Sequence, residues 1–267
     1  MHVAYEYILA GVMIFLILMM TQVTISALIT RQLTYLEQSG GYKTAEKILD
    51  VLLLSPGDPP DWGRNASVEP NYIGLADQNS LRAYVLDPYK VLRLQKGSAG
   101  YISPAKARRL LGLRDDYHFH LRILPALSVE IEGNGSFTIT VKNIKGLPVP
   151  NVNVTGYYVP KSFSPTVEYP IKSNITGVDG SCTLVFQYQQ DHVLVVCASI
   201  FGVRVVSTEP PGLNFRVEGG RVFKSDIPMI TEIDYSTGSI VGLEKEDATR
   251  YVEIDGSAYI VEFTLWK

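Results

Sequence analysis

The chain opens on apolar residues and keeps to them. From Tyr7 to Ile29 no Asp, Glu, Lys or Arg interrupts the run. Wound as a helix at ~1.5 Å per residue, it reaches about 35 Å, enough to cross a hydrocarbon core of roughly 30 Å with some tilt. The pattern predicts a membrane-spanning helix with a short stalk, residues 1–38. Beyond Gly40-Gly41 the apolar positions return at helical spacing. Ala45, Ile48, Leu49, Leu52 and Leu53 share one face of a helix predicted over Tyr42 to Leu54. Ser55-Pro56-Gly57-Asp58-Pro59-Pro60 ends it, since neither proline nor glycine extends a helix. Asp87-Pro88 and Ser103-Pro104 each set an N-cap side chain ahead of a first-turn proline, so short helices are predicted over Pro88 to Leu94 and Pro104 to Leu111.

The period then shortens to two. Tyr117 to Ile123 alternates as a strand, and strand candidates follow at Val129-Glu130-Ile131, Phe137 to Val141, Val152 to Val154, Thr183 to Phe186 and Val193 to Val196. Near the C-terminus Asp255-Gly256 separates Tyr251 to Ile254 from Tyr259 to Phe263, a strong hairpin signal. This hairpin is expected to pair near Tyr117 to Ile123, with the intervening strands inserted between Pro125 and Pro210-Pro211.

Two short stretches carry resemblances. Ala4-Tyr5-Glu6-Tyr7-Ile8-Leu9-Ala10-Gly11 ahead of the apolar run resembles the start of archaeal type IV pilin-like surface proteins. Ser55-Pro56-Gly57 to Trp62-Gly63, Ile73-Gly74-Leu75-Ala76, Val85 to Val91 and Leu110 to Leu113 extend that resemblance to residue ~124. It implies that Glu6 pairs with a neighbouring subunit's terminal amine during assembly. The departure is the missing basic leader ahead of Glu6, which leaves open a start further upstream or a relative that is simply anchored. Gly146-Leu147-Pro148-Val149 and Thr176-Gly177-Val178-Asp179-Gly180 resemble the strand-entry turns of Ig-like and transthyretin-like surface modules over ~127–208. The expected fold class is therefore α+β. Its parts are an N-terminal transmembrane helix (1–38), a small membrane-proximal α/β module (39–126), an Ig-like β-sandwich (127–208) and a C-terminal β segment with its hairpin (209–267).

Charge and composition narrow the partners. A formal net charge of −3 and a pI near 5.8 argue against nucleic acid. Arg31, Lys43 and Lys47 follow the run, which by the positive-inside rule favours a cytoplasmic body. Asn65, Asn134, Asn153 and Asn174 all stand in Asn-x-Ser/Thr sequons, which favour an extracytoplasmic one. With the resemblances added, the body is expected outside a cell membrane that it crosses once. Within the run Gln22 and Ser26 share a helical face, so that Glu6, Gln22 and Ser26 are the assembly candidates; the alternatives are an interfacial carboxylate and wetted polar residues.

Cys182 and Cys197 are the only cysteines. A hairpin turning around Tyr188 to Asp191 would oppose them and allow a cross-strand disulfide; the alternative is two buried thiols. His118 and His120 share one strand face, with Asp115 and Asp116 nearby, too few ligands for a metal centre. Asp58, Asp61 and Asp179 read as turn residues, and Lys106, Arg108 and Arg109 as a solvated or headgroup-facing helix side. No nucleophile elbow, phosphate loop, dinucleotide fingerprint or zinc-protease signature occurs. The expectation is a non-enzymatic, cofactor-free, pilin-like structural protein: filament subunit, minor subunit or adhesin, with the lipid bilayer, copies of itself and envelope or pilus-assembly proteins as partners. The alternative is an anchored binding or sensory ectodomain.

Overall fold

The computed structural model describes residues 44–162, 168–239 and 244–267, together with Met19. Residues Met1–Thr44 and Ala45–Lys267 form separate compact units, and the second carries all the described strands. Glu6, Gln22, Ser26 and the predicted spanning helix lie outside the described residues. Among those residues 44% are in strands and 11% are helical. None of their helices is long and apolar enough to cross a membrane. This overturns the α+β expectation: the described residues are mostly β. The physical reason is that the stretch read as a mixed α/β module holds three short helices around a long irregular loop and supplies only two strands of its sheet, Val85–Leu86 and His118–Pro125; the other three come from the C-terminal segment.

Helix α1 covers 44–54, and its apolar face, Ala45, Leu49, Leu52 and Leu53, is buried as the spacing requires. An irregular stretch leads to β1 (Val85–Leu86), α2 (Pro88–Leu92) and α3 (Pro104–Leu110). The caps form as read: the Asp87 carboxylate accepts from the Tyr89 backbone N–H, and the Ser103 hydroxyl accepts from that of Lys106. Strand β2 (His118–Pro125) follows. It alternates, turning Phe119, Leu121 and Ile123 inward.

The chain then leaves this layer for seven strands: β3 (Leu127–Asn134), β4 (Ser136–Asn143), β5 (Asn153–Pro160), β6 (Ile171–Ile175), β7 (Ser181–Val185), β8 (His192–Ile200) and β9 (Val203–Glu209). They form a three-stranded sheet, β3-β4-β7, facing a four-stranded one, β6-β5-β8-β9. Phe137, Ile139, Val154, Tyr158, Leu184, Leu194 and Val196 fill the space between them. A small hairpin, β10 (Phe215–Glu218) with β11 (Arg221–Lys224), covers the outer face of the four-stranded sheet through Phe215, Val217 and Val222.

The chain returns to the first layer with β12 (Ile233–Ser236), β13 (Lys245–Ile254) and β14 (Ser257–Trp266), giving a five-stranded sheet in the order β1-β13-β14-β2-β12. Strand β14 runs antiparallel to β2 from Tyr259 opposite Pro125 to Trp266 opposite His118, so the hairpin pairs with the strand expected for it. Asp255 and Gly256 turn it with φ of 47° and 78°, the positive pair that a tight hairpin twist demands. The three helices and Trp62 pack on one face of this sheet. The other face is polar, with Arg122 bridging Glu232 and Glu262.

The irregular stretch 55–76 carries many backbone carbonyls with no sheet or helix to receive them, and two buried cations take that place. Lys90 is 0% exposed, and its ammonium donates to the carbonyls of Pro56 (2.9 Å) and Ala76 (2.8 Å). Arg93, 4% exposed, donates to the carbonyls of Trp62, Asn65, Val68 and Gly100 and stacks its guanidinium 5.0 Å from the Trp62 ring centroid. Trp62 in turn donates its indole N–H to Gly74 O. Gly63 permits the approach: a Cβ there would meet Lys90 Cγ at 2.5 Å.

Arg93→Met leaves these carbonyls without their donor, and we expect it to cost about 3–5 kcal/mol of unfolding free energy by urea titration; a loss under ~1 kcal/mol would contradict the role given to Arg93. Burial lowers the Lys90 pKa. Between that lowered value and the ordinary lysine value the unfolded chain holds more protons than the folded one, so stability rises with pH across that window. The buried thiols and tyrosines, whose pKa values burial raises, act in the opposite sense, so the Lys90 contribution is read by difference: the wild-type urea midpoint should gain on that of Lys90→Met as pH rises through the window, and a constant difference would contradict it.

A candidate binding groove

The residues singled out from sequence do not come together. Cys182 lies on β7 opposite Ile139 of β4, whereas Cys197 lies on β8 between Thr155 of β5 and Val206 of β9. They belong to different sheets, and both thiols are free and buried. Cys182 faces the space between the sheets, Cys197 the opposite side under the β10–β11 hairpin. The expected disulfide is therefore corrected: the link from Val185 to His192 crosses from one sheet to the other instead of turning within one. Burial pushes both thiols above their ordinary pKa.

Asn65, Asn134, Asn153 and Asn174 are all exposed, with Asn153 and Asn174 on the paired strands β5 and β6. Asn65 Oδ1 accepts from the Ser67 N–H, and Asn174 Nδ2 donates to Thr183 O at 3.0 Å. His118 stacks on Trp266, and His120 Nε2 lies 2.7 Å from the Asp234 carboxylate. Among the described residues no group of three or more His, Cys, Asp or Glu is arranged to hold a metal ion. Asp179 accepts from the Ser181 N–H, a local turn bond, whereas Asp58 accepts from the side chain of Asn71, 13 residues further along the chain. The basic helix side is partly neutralised, Lys106 by Glu69 and Arg108 by Asp115.

The surface with the most convergent chemistry was not foreseen. Where the Asp255-Gly256 turn meets β9, two open clefts of about 660 and 520 Å³ adjoin and share Arg82, Arg204, Glu253 and Gly256. The turn is docked by two bonds: Ser257 Oγ accepts from the Val206 N–H at 3.2 Å, and Arg204 Nε donates to Gly256 O at 3.2 Å. One wall comes from the loop held by Lys90 and Arg93, contributing Arg64, Asp77 and the start of α2; Arg64 sits 5.1 Å over the Tyr89 ring centroid. β10–β11 and its exit add Arg216, Glu218, Lys224 and Asp226 to the lining.

Several charges in the groove are already paired. Arg82 grips Glu253 with two bonds of 2.9 Å, and this hydrogen bonding raises the Arg82 pKa. Asp255 accepts from Ser225 Oγ at 2.6 Å and lies 3.7 Å from Arg216. Asp87 is spent on its helix cap. Arg204 has no such neutraliser: no carboxylate of the described residues lies within ion-pair distance, and its bond goes to the neutral Gly256 O. At the far end Phe201 projects from the β8–β9 turn with its side chain wholly in solvent (100% exposed) and φ of 49°. A bulky residue in that region is an outlier, and the turn needs Gly202 beside it.

Sequence reasoning missed this groove because its residues come from five separated segments, and nothing around Arg82, Arg204 or Phe201 distinguishes them from ordinary strand and turn residues. No family model matches the chain, and neither a curated protein nor a solved structure is found to resemble it.

If the two cysteines sit as described, iodoacetamide will label neither thiol in the native protein and both after unfolding, with no change of intact mass on reduction. A mass change on reduction would show a bridge and contradict the assignment of the cysteines to separate sheets.

Proposed function

We propose that this chain is a non-enzymatic protein of the outer face of a cell membrane, tethered by the uncharged segment Tyr7 to Ile29, whose β body binds an extended polar partner along the Arg82–Arg204 groove. The groove carries this reading: it is open and elongated, walled by charged side chains, and assembled from both layers of the body. Its paired carboxylates support binding over catalysis, because Glu253, Asp255 and Asp87 are engaged in bonds that hold the walls together. The exposed positions of Asn65, Asn134, Asn153 and Asn174 favour an external body.

A second reading, a pilin-like subunit or adhesin that assembles with copies of itself and with pilus-assembly proteins, is favoured by one sequence observation. Glu6 is the single acidic residue at the head of the uncharged run, with Gln22 and Ser26 further along. A carboxylate there is costly in lipid unless it finds a positive partner.

Protease added to intact cells is expected to remove the body, with the fragment from the uncharged segment staying in the membrane fraction. A body protected until the cells are lysed would overturn the external assignment. For the second reading, native assemblies should sediment as large particles and be lost in Glu6→Gln; a wild-type chain that stays monomeric in detergent and in membranes would count against it.

A further inference from the structure

Strand β6 ends the four-stranded sheet, and nothing in the body covers it. All five of its residues are exposed, and the two at its ends are isoleucines, Ile171 at 52% and Ile175 at 61%. We propose that β6 pairs antiparallel with the β6 of a second copy of this chain, about a two-fold axis at Ser173. The contact draws on neither Glu6 nor the groove, since none of its residues lines the clefts.

Backbone parity leaves this edge open. The Tyr158 N–H donates to Pro170 O and the Thr176 N–H to Val152 O, so the alternate residues between them, Lys172 and Asn174, turn their main chain to β5. Ile171, Ser173 and Ile175 therefore turn theirs outward, where no other strand among the described residues pairs with them. Only the Ile175 N–H is met locally, by Asn174 Oδ1 at 2.9 Å. The side chains that could guard such an edge are engaged elsewhere. Lys172 reaches over the Phe186 ring, its ammonium 5.8 Å from the centroid, and Asn174 Nδ2 donates to Thr183 O of β7 at 3.0 Å. Both close the gap between the facing sheets and leave the outward row of β6 uncovered.

The residue order selects a second copy as the occupant. Ile171-Lys172-Ser173-Asn174-Ile175 reads apolar, polar, small, polar, apolar in either direction. Antiparallel pairing centred on Ser173 sets each Ile171 against the other copy's Ile175, each Lys172 against Asn174, and Ser173 against itself. The four exposed isoleucines then cover one another and no like charges meet. An isologous contact needs a patch complementary to itself, and this strand is one. A single strand pair covers less than the ~1,200 Å² of a standard interface, so the dimer is reversible.

Cysteine substitution in the full-length protein tests both the pairing and its register. In an antiparallel pair bonded at residue 173 the two Cα atoms lie ~5.5 Å apart, within disulfide reach, whereas residue 171 lies ~14 Å along the strand from its own copy. Under mild oxidation Ser173→Cys should cross-link to itself at least tenfold faster than Ile171→Cys or Ile175→Cys alone, and a mixture of those two should cross-link to each other. The native Cys182 and Cys197 are buried and stay out of this reaction. Ser173→Lys, which sets like charges opposite each other, should weaken dimerisation severalfold by sedimentation, and mixing it with Ser173→Glu should restore it. An unchanged unfolding midpoint in these two variants separates lost pairing from misfolding. Faster cross-linking of Ile171→Cys or Ile175→Cys to itself would overturn the register. Equal rates at all three positions would mean random collision, and a chain that stays monomeric at its highest soluble concentration would overturn the pairing outright.

Discussion

Two buried cations hold the framework on which the rest of this body depends. The stretch from Ser55 to Ala76 has almost no regular structure, yet it packs against the core through Trp62, Ile73 and Leu75. Buried carbonyls without donors are expensive. Lys90 and Arg93 come from α2 and its C-cap, one turn apart. Together they donate to six carbonyls, all but that of Gly100 within this stretch. The desolvation that burial imposes on both cations is offset by those bonds and by the Trp62 ring. A helix of five residues thus does more for the fold than its length suggests.

That clamp has a functional consequence through geometry. The same loop presents Arg64 and Asp77, and the same helix start presents Asp87 and Tyr89, as one wall of the groove. The floor is set by a different contact, the Asp255-Gly256 turn seated on β9 by Arg204 and Ser257. The two layers also share packing at this end, since Ile260 of β14 belongs to the core between the facing sheets and Ala126 bonds to Ala258. A groove walled by elements fixed this way is preorganised, so little ordering cost falls on binding.

Local chemistry was legible in the sequence, and long-range placement was not. The caps at Asp87 and Ser103, the amphipathic face of α1 and the Asp255-Gly256 hairpin all follow from side chains within a few residues of one another. The fold class failed because short capped helices were given the weight of a layer, when most of that layer is a sheet completed by β12 to β14. The cysteine pairing failed because alternation gives the face of a strand but not the sheet to which the strand belongs. Arg204 carried no signal at all: its importance arises from a turn more than fifty residues away along the chain. The uncharged segment announces itself by hydropathy, and apart from Met19 it lies outside the described residues.

Hydrogen exchange of the full-length protein, followed peptide by peptide with and without an extract of the cells that make it, tests the groove most directly. The account requires added protection in the peptides holding Arg82 to Tyr89, Phe201 to Arg204, Arg216 to Ile227 and Glu253 to Gly256, with the outer face of the β12-β2-β14 sheet unchanged. Protection centred on that outer face, or spread over the facing sheets while these four peptides exchange as before, would contradict it.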